Sequence, residues 1–198
     1  MARSKRALAL LAAAAAVSAT TSLAGCSLLT ATAPVHTPTA LESCATGHTW
    51  ALDVEALAPV ATAAMHEHTL NVQVVVEGTQ QLTWDTDFKM TFDTDLTFRG
   101  VIDGDYAPGY EEQYTVKGQS EGFAYFSGET AVPRNWSEDD LDTEITATQD
   151  GAPAADIIYP WIVLWTDDTV GLTVTCSAEQ LVLAGRQSPL SWTFNRVS

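Results

Sequence analysis

The sequence has little positive charge, few cysteines and no long hydrophobic segment. Nine Lys and Arg residues stand against 25 Asp and Glu residues in a chain of 198, so the formal net charge is −16. This charge repels nucleic acids, and we expect no nucleic-acid partner. The longest apolar run, residues 7–17, is shorter than the roughly 20 residues that a transmembrane helix needs. Hydrophobic residues make up 46% of the chain, which is enough to form a folded core.

The N-terminal segment has the pattern of a secretion signal. Three basic residues precede the apolar run, and the motif Leu23-Ala24-Gly25-Cys26 follows it. This motif resembles the lipobox of bacterial lipoproteins. The resemblance implies that residues 1–25 are removed and that Cys26 is acylated. We therefore expect anchoring to the cell membrane, at its extracytoplasmic face, through Cys26. The alternative is an ordinary secretion signal with a chance cysteine.

The composition divides the rest of the chain into a tether and a domain. Residues 26–43 are rich in Thr and Pro and have no apolar period, which predicts a flexible tether. Residues 44–198 have the length of a single domain. Without residues 1–25, the chain retains six bases and all 25 acids, a net charge of −19.

Two cysteines remain once Cys26 is assigned to the anchor. In an oxidising compartment an even pair normally forms a disulfide, and we predict one between Cys44 and Cys176. It would join the start of the domain to a strand near its end. Two free thiols or a metal pair are the alternatives.

The apolar pattern predicts one helix followed by many strands. Asp53 is a suitable N-cap for a helix that extends to Met65, although Pro59 within it removes a backbone donor. From Thr69 onward the apolar residues alternate with polar ones in short runs, typical of antiparallel strands with one buried face. The runs are Leu70–Val76, Leu82–Trp84, Phe88–Phe92, Leu96–Phe98, Tyr114–Val116, Phe123–Tyr125, Ile145–Ala147, Val170–Cys176, Leu181–Leu183 and Leu190–Phe194.

We predict a mainly β fold in which about eight to ten strands form an up-and-down, lipocalin-like barrel. A two-sheet sandwich is the alternative, but the short local connections favour the barrel. The segments Cys44–Asp53, Gln81–Asp85, Val132–Trp136 and Val174–Ser177 resemble small acidic lipoproteins secreted by high-GC Gram-positive bacteria. This resemblance implies a location and a fold, but no activity.

Acidic and histidine motifs are the possible metal sites. Trp84-Asp-Thr-Asp-Phe88 recurs as Phe92-Asp-Thr-Asp-Leu96, but the Gly and the bidentate Glu of an EF-hand are missing. His66 and His68 lack a third ligand. Glu138–Glu144 holds five acids in seven positions and is interpreted as a solvated loop. We expect no metal site and no cofactor.

The segment Ile157–Trp165 is apolar on both faces and contains a proline. It is either packed beneath other structure or exposed at a barrel mouth. In the second case Tyr159, Trp161 and Trp165 form a candidate surface for a ligand or a partner.

No nucleophile motif such as Gly-x-Ser-x-Gly is present, so we expect a non-catalytic protein. The first hypothesis is a barrel that binds a hydrophobic small molecule or lipid. The alternative is an envelope structural or protein-interaction module with a filled barrel. In that case Trp84, Phe88, Met90, Phe92 and Trp192 are core residues. An apolar cavity of at least about 300 Å³ would distinguish the two.

Overall fold

The computed structural model describes residues 36–67, 71–102, 108–154, 171–185 and 190–197. Within these ranges lie two helices and nine strands. The helices are α1 (Ala40–Ala45) and α2 (Val54–Glu67). The strands are β1 (His48–Leu52), β2 (Val72–Trp84), β3 (Lys89–Ile102), β4 (Tyr110–Ser127), β5 (Thr130–Gln149), β6 (Ala152–Pro153), β7 (Leu172–Cys176), β8 (Gln180–Gly185) and β9 (Ser191–Arg196).

Eight of these strands close into an antiparallel up-and-down barrel. Strands β1, β2, β3, β4 and β5 pair in that order. β5 also pairs with β7, and β7, β8 and β9 continue the meander. The barrel closes where β9 returns to β1, with Trp50 opposite Arg196 and Leu52 opposite Phe194. The short β6 pairs only with the end of β5. The predicted lipocalin-like barrel is therefore confirmed, and the sandwich alternative is not the fold.

The core consists of the inward-facing side chains, which follow the two-residue period of the strands. In β3 the buried Met90, Phe92 and Leu96 alternate with residues on the outer face. Trp50 and Trp84 are fully buried. Each large apolar side chain buried in this way contributes about 1.5–3 kcal/mol.

Strands β2 to β5 are much longer than the others. They contain 13 to 20 residues, whereas β1 and β7 contain 5 and β8 and β9 contain 6. The sequence pattern predicted separate runs before and after Gly78, but β2 continues through it in register with Leu96 of β3. Gly78 has a φ of 108°, and a Cβ there would collide with the carbonyl of Asp95. The glycine thus allows a bend without ending the strand.

Helix α2 confirms the predicted helix. Asp53 caps it, since its Oδ1 accepts a hydrogen bond from the Ala56 amide at 3.0 Å. The helix packs against β2, where the Val74 amide donates to the Thr62 hydroxyl at 3.0 Å. Pro59 is exposed, so water can reach the carbonyl that loses its helical donor. None of the helices in the described ranges is long and apolar enough to cross a membrane.

Helix α1 corrects the predicted tether, because its first four residues lie inside residues 26–43. A capping box starts this helix: the Glu42 amide donates to the Thr39 hydroxyl at 3.2 Å, and the Thr39 amide donates to the Glu42 carboxylate at 2.5 Å. The predicted disulfide is confirmed, since Cys44 of α1 is bonded to Cys176 of β7 with a Cα–Cα distance of 6.0 Å. The folded unit therefore begins before Cys44.

Candidate functional site

A cleft lies on the inner face of the long strands, beside the start of β9. We call it the indole cleft. Its lining residues are Gln80, Phe92, Thr94, Leu96, Phe98, Val116, Ser120, Trp136, Glu138, Leu141 and Trp192. The empty space in the cleft is about 420 Å³ when the part open to solvent is included. Its cavity volume, the measure comparable with ordinary ligand pockets, is only about 20 Å³, which is room for about one water molecule.

Two β-bulges in β5 form one wall of the indole cleft. Opposite β4, Gln119 pairs with Asp140, Glu121 with Ser137, and Phe123 with Arg134. From each of these pairs to the next, β4 advances by two residues and β5 by three. β5 therefore contains one extra residue in each of the two intervals. Each bulge adds one residue and reverses which residues of β5 face inward.

The bulges bring a tryptophan and a carboxylate to the inner face. Asn135 takes a left-handed conformation with φ of 51°, which asparagine tolerates better than most residues. After it, Trp136 and Glu138 line the cleft, and after the second bulge Leu141 does. The predicted loop over Glu138–Glu144 is therefore wrong. These residues belong to β5, and their pattern lacks simple alternation because of the bulges.

Trp136 packs directly over the backbone of β4. A Cβ at Gly122 would stand 2.5 Å from Cε3 and 3.0 Å from Cα of Trp136, so the missing side chain is what admits the indole. The Trp136 ring also lies 5.8 Å from the ring of Phe92, centroid to centroid. Two further lining residues, Phe98 and Trp192, meet edge to face at 6.3 Å. Four aromatic side chains thus belong to the lining.

Three buried polar atoms of the cleft residues have no hydrogen-bond partner among the described residues. They are Oε1 of Gln80 and the indole Nε1 atoms of Trp136 and Trp192. Gln80 is 6% exposed, and its Nε2 donates to the Thr94 hydroxyl at 2.9 Å. An unpaired buried polar group costs about 1–3 kcal/mol, so such groups usually bind water or a ligand. Trp84 Nε1 is also unpaired but does not line the cleft.

The cleft has a negative edge. Glu138 is exposed and, among the described residues, is the only charged one in the lining. Burial raises the pKa of the nearby Tyr114 phenol above its ordinary value of 10.0, and the charge of Glu138 raises it further. Four further acids lie on the same strand and are exposed: Asp139, Asp140, Asp142 and Glu144.

Several residues singled out in the sequence lie outside the described residues. These are the proposed anchor Cys26 and the candidate surface Tyr159, Trp161 and Trp165. The residues expected as core in a filled barrel are described. Trp84, Met90, Phe92 and Trp192 are buried, whereas Phe88 is only partly so.

The acidic repeat serves the structure of a turn and a strand. Oδ1 of Asp85 accepts hydrogen bonds from the amides of Asp87 at 2.8 Å and Lys89 at 2.9 Å. In the second copy, Lys117 donates to Asp95 at 3.0 Å on the outer face of the barrel. His66 lies exposed in the last turn of α2, while His68 lies outside the described residues. No group of three metal-ligating side chains occurs in the described part of the chain.

The sequence pattern did not identify Gln80, Trp136 or Glu138 as site residues. The available signal was the failure of the alternation around Asn135, together with a polar Gln80 at an inward position of β2.

Comparisons of the chain with models of known families, with curated proteins and with solved structures found no significant match.

Proposed function

We propose that the protein is an extracytoplasmic lipoprotein, anchored through Cys26, whose barrel binds a small molecule in the indole cleft without converting it. The observation that carries this proposal is the meeting of three unpaired buried polar groups in one cleft, those of Gln80, Trp136 and Trp192. A lumen that only needs to be filled gains nothing from such groups, because apolar side chains fill space without a desolvation penalty.

The chemistry of the cleft narrows the ligand. The two indole N–H groups can donate to an acceptor on the ligand, and Oε1 of Gln80 can accept from a donor on it. The aromatic and aliphatic lining residues can pack against an apolar part of the ligand. A plain acyl chain would leave all three polar groups unpaired. The ligand is therefore a compact molecule with polar groups on an apolar frame, rather than a fatty chain.

A second function is favoured by the small cavity volume of the indole cleft. About 20 Å³ is far below the roughly 300 Å³ of an ordinary ligand pocket. A filled barrel that serves as an envelope structural or protein-interaction module would have such a lumen. In the first proposal, the ligand lies in the space of the cleft that is open to solvent and places one polar group in the small cavity.

Native mass spectrometry of the mature chain, residues 26–198, made with Cys26→Ser in an oxidising host, tests the proposal. After incubation with an extract of the producing cells, we expect an added mass that is lost on denaturation. Gln80→Leu should abolish the added mass. Gln73→Leu, an exposed position on the same strand, is the matched control and should retain it. A bare protein mass in every sample would favour the filled barrel.

A further inference from the structure

We infer that the ligand of the indole cleft is a small organic cation, an amine on an aromatic or aliphatic body, with Glu138 as its counter-ion. This inference rests on the proposed function, since it specifies the ligand of the same cleft. It is carried by three features of the lining: aromatic walls, a single carboxylate, and a buried acceptor without a donor.

The aromatic walls favour a positive charge. Trp136 stands near Phe92, and Trp192 stands near Phe98, with ring centroids 5.8 Å and 6.3 Å apart. The face of an indole or phenyl ring is negative, and it attracts a cation placed within about 6 Å of the ring centre. A cleft lined by four aromatic side chains can therefore hold an ammonium group against one ring while the apolar body of the ligand contacts the others.

The one charged side chain among the described lining residues, Glu138, has the opposite sign to an ammonium group. In the described part of the chain, Glu138 has no ion-pair partner, whereas three other acids do. The bases of those pairs, Lys89, Arg99 and Lys117, project from the outer face of the barrel. A cationic ligand would supply the missing partner of Glu138 inside the cleft.

The buried acceptor, Oε1 of Gln80, favours a ligand that carries a hydrogen-bond donor. Oε1 of Gln80 is unpaired, and the Gln80 side chain is held in place through its Nε2 by Thr94. An ammonium group has N–H donors for this oxygen and for the carboxylate of Glu138. An oxygen on the ligand body would accept from the indoles of Trp136 and Trp192. A carboxylate ligand could also accept from the indoles, but it would be repelled by Glu138.

The field around the cleft acts in the same direction. Burial, and after it the charge of Glu138, raises the pKa of the Tyr114 phenol, so Glu138 lies within electrostatic range of this neighbouring residue. The exposed acids of β5 and the net charge of −16 add an attraction for cations over about a Debye length, roughly 8–10 Å.

The test compares three probes that share one aromatic body: phenethylamine, 2-phenylethanol and phenylacetate, which are cationic, neutral and anionic at neutral pH. Binding to the mature Cys26→Ser chain is measured by calorimetry and by tryptophan fluorescence at low salt. We expect phenethylamine to bind about tenfold more tightly than 2-phenylethanol, since cation–π attraction and the charge of Glu138 act together. Phenylacetate should bind least.

Variants then distinguish the contribution of the ion pair to affinity from the contribution of the rest of the cleft. Glu138→Gln should weaken phenethylamine about threefold to fivefold and weaken 2-phenylethanol by a smaller factor, as expected for a solvent-exposed ion pair that only the cation can form. Asp142→Asn removes an exposed acid of the same strand that does not line the cleft; it should weaken phenethylamine less than Glu138→Gln does and leave 2-phenylethanol unchanged.

The outcomes distinguish this inference from the proposal on which it rests. Equal affinities for phenethylamine and 2-phenylethanol would overturn the inference and leave the cleft as a binding site. An equal loss of phenethylamine affinity in Glu138→Gln and Asp142→Asn would also overturn it, since the attraction would then be a general effect of charge. No binding of any probe at millimolar concentrations would overturn both.

Discussion

Replacing Gly122 by Ala should displace Trp136 and loosen the wall of the indole cleft. Gly122 lies in β4, opposite the bulged part of β5. The added Cβ would stand 2.5 Å from Cε3 and 3.0 Å from Cα of Trp136. Carbon atoms in comfortable contact are about 3.5–4.0 Å apart. The indole must therefore retreat by about 1 Å, and the contact with Cα means that the bulge must move with it.

The expected cost follows from these two contacts. Overpacking of a well-filled interior costs about 1–3 kcal/mol. The reduced freedom of the unfolded chain offsets about 0.4–1 kcal/mol of this, as for any Gly→Ala change. We therefore expect a net destabilisation of about 1–2 kcal/mol. The affinity for phenethylamine should fall in the same variant, because Trp136 forms part of the cleft.

A double-mutant cycle with Trp136→Ala tests this explanation. Urea unfolding gives the free energy for the parent, Gly122→Ala, Trp136→Ala and the double variant. In the Trp136→Ala background the severe contact with the indole is gone, so Gly122→Ala should cost less than half of its value in the parent. An equal cost in both backgrounds would refute the argument, since the penalty would then not come from the indole.

Three further predictions concern the anchor, the disulfide and a buried phenol. Cys26→Ser should move the protein from the membrane to the soluble fraction on cell fractionation; retention in the membrane would reject the anchor. Replacing Cys44 and Cys176 by Ser opens a link between residues 132 positions apart and should lower the unfolding free energy in urea by about 2–5 kcal/mol; unchanged stability would contradict this. Tyr114→Phe should reduce the loss of stability above pH 10, because burial and then Glu138 raise the pKa of this phenol above 10.0. The unfolded phenol releases its proton first, so rising pH favours unfolding through this group; equal slopes of stability against alkaline pH in both proteins would argue against it.

The alternation of apolar and polar residues was sufficient to predict the barrel. In β3 the inward positions Met90, Phe92, Leu96 and Phe98 are apolar because they face the lumen, and Thr94 between them is a polar exception. The disulfide was predictable because the assignment of Cys26 to the anchor left one pair of cysteines in a chain that the leader sends to an oxidising compartment. The pairing of β1 with β9 that closes the barrel joins distant parts of the chain, and no local pattern identifies such a register.

The elements that were missed are those in which local geometry departs from the simple period. β5 contains two bulges, and many of its residues are exposed, so acids such as Asp140 and Asp142 gave it the composition of a loop. Helix α1 is too short for an apolar period. Its Thr39 and Glu42 do form a recognisable capping signal, and the disulfide at Cys44 fixes its end to β7.

The site residues were missed for a related reason. An inward glutamine such as Gln80 interrupts the apolar pattern, and sequence alone does not say whether the interruption is a surface residue or a buried polar group. Trp136 faces the lumen only because Asn135 and the bulges turn it there. The positions that break the sequence rules are thus also the positions that form the cleft, as expected where binding rather than stability determines a residue.

Gln80 and Thr94 allow a test of whether binding rather than stability determines the residues of the cleft. They form a hydrogen-bonded pair at 2.9 Å inside the barrel, and Oε1 of Gln80 remains unpaired. Replacing both partners of a buried hydrogen bond by apolar groups of similar shape is nearly neutral or stabilising, and here it also removes an unpaired oxygen that costs about 1–3 kcal/mol. Gln80→Leu with Thr94→Val should therefore raise the midpoint of urea unfolding while phenethylamine binding is lost. A lower midpoint would mean that the polar pair stabilises the fold itself, and it would favour the filled barrel over the binding protein.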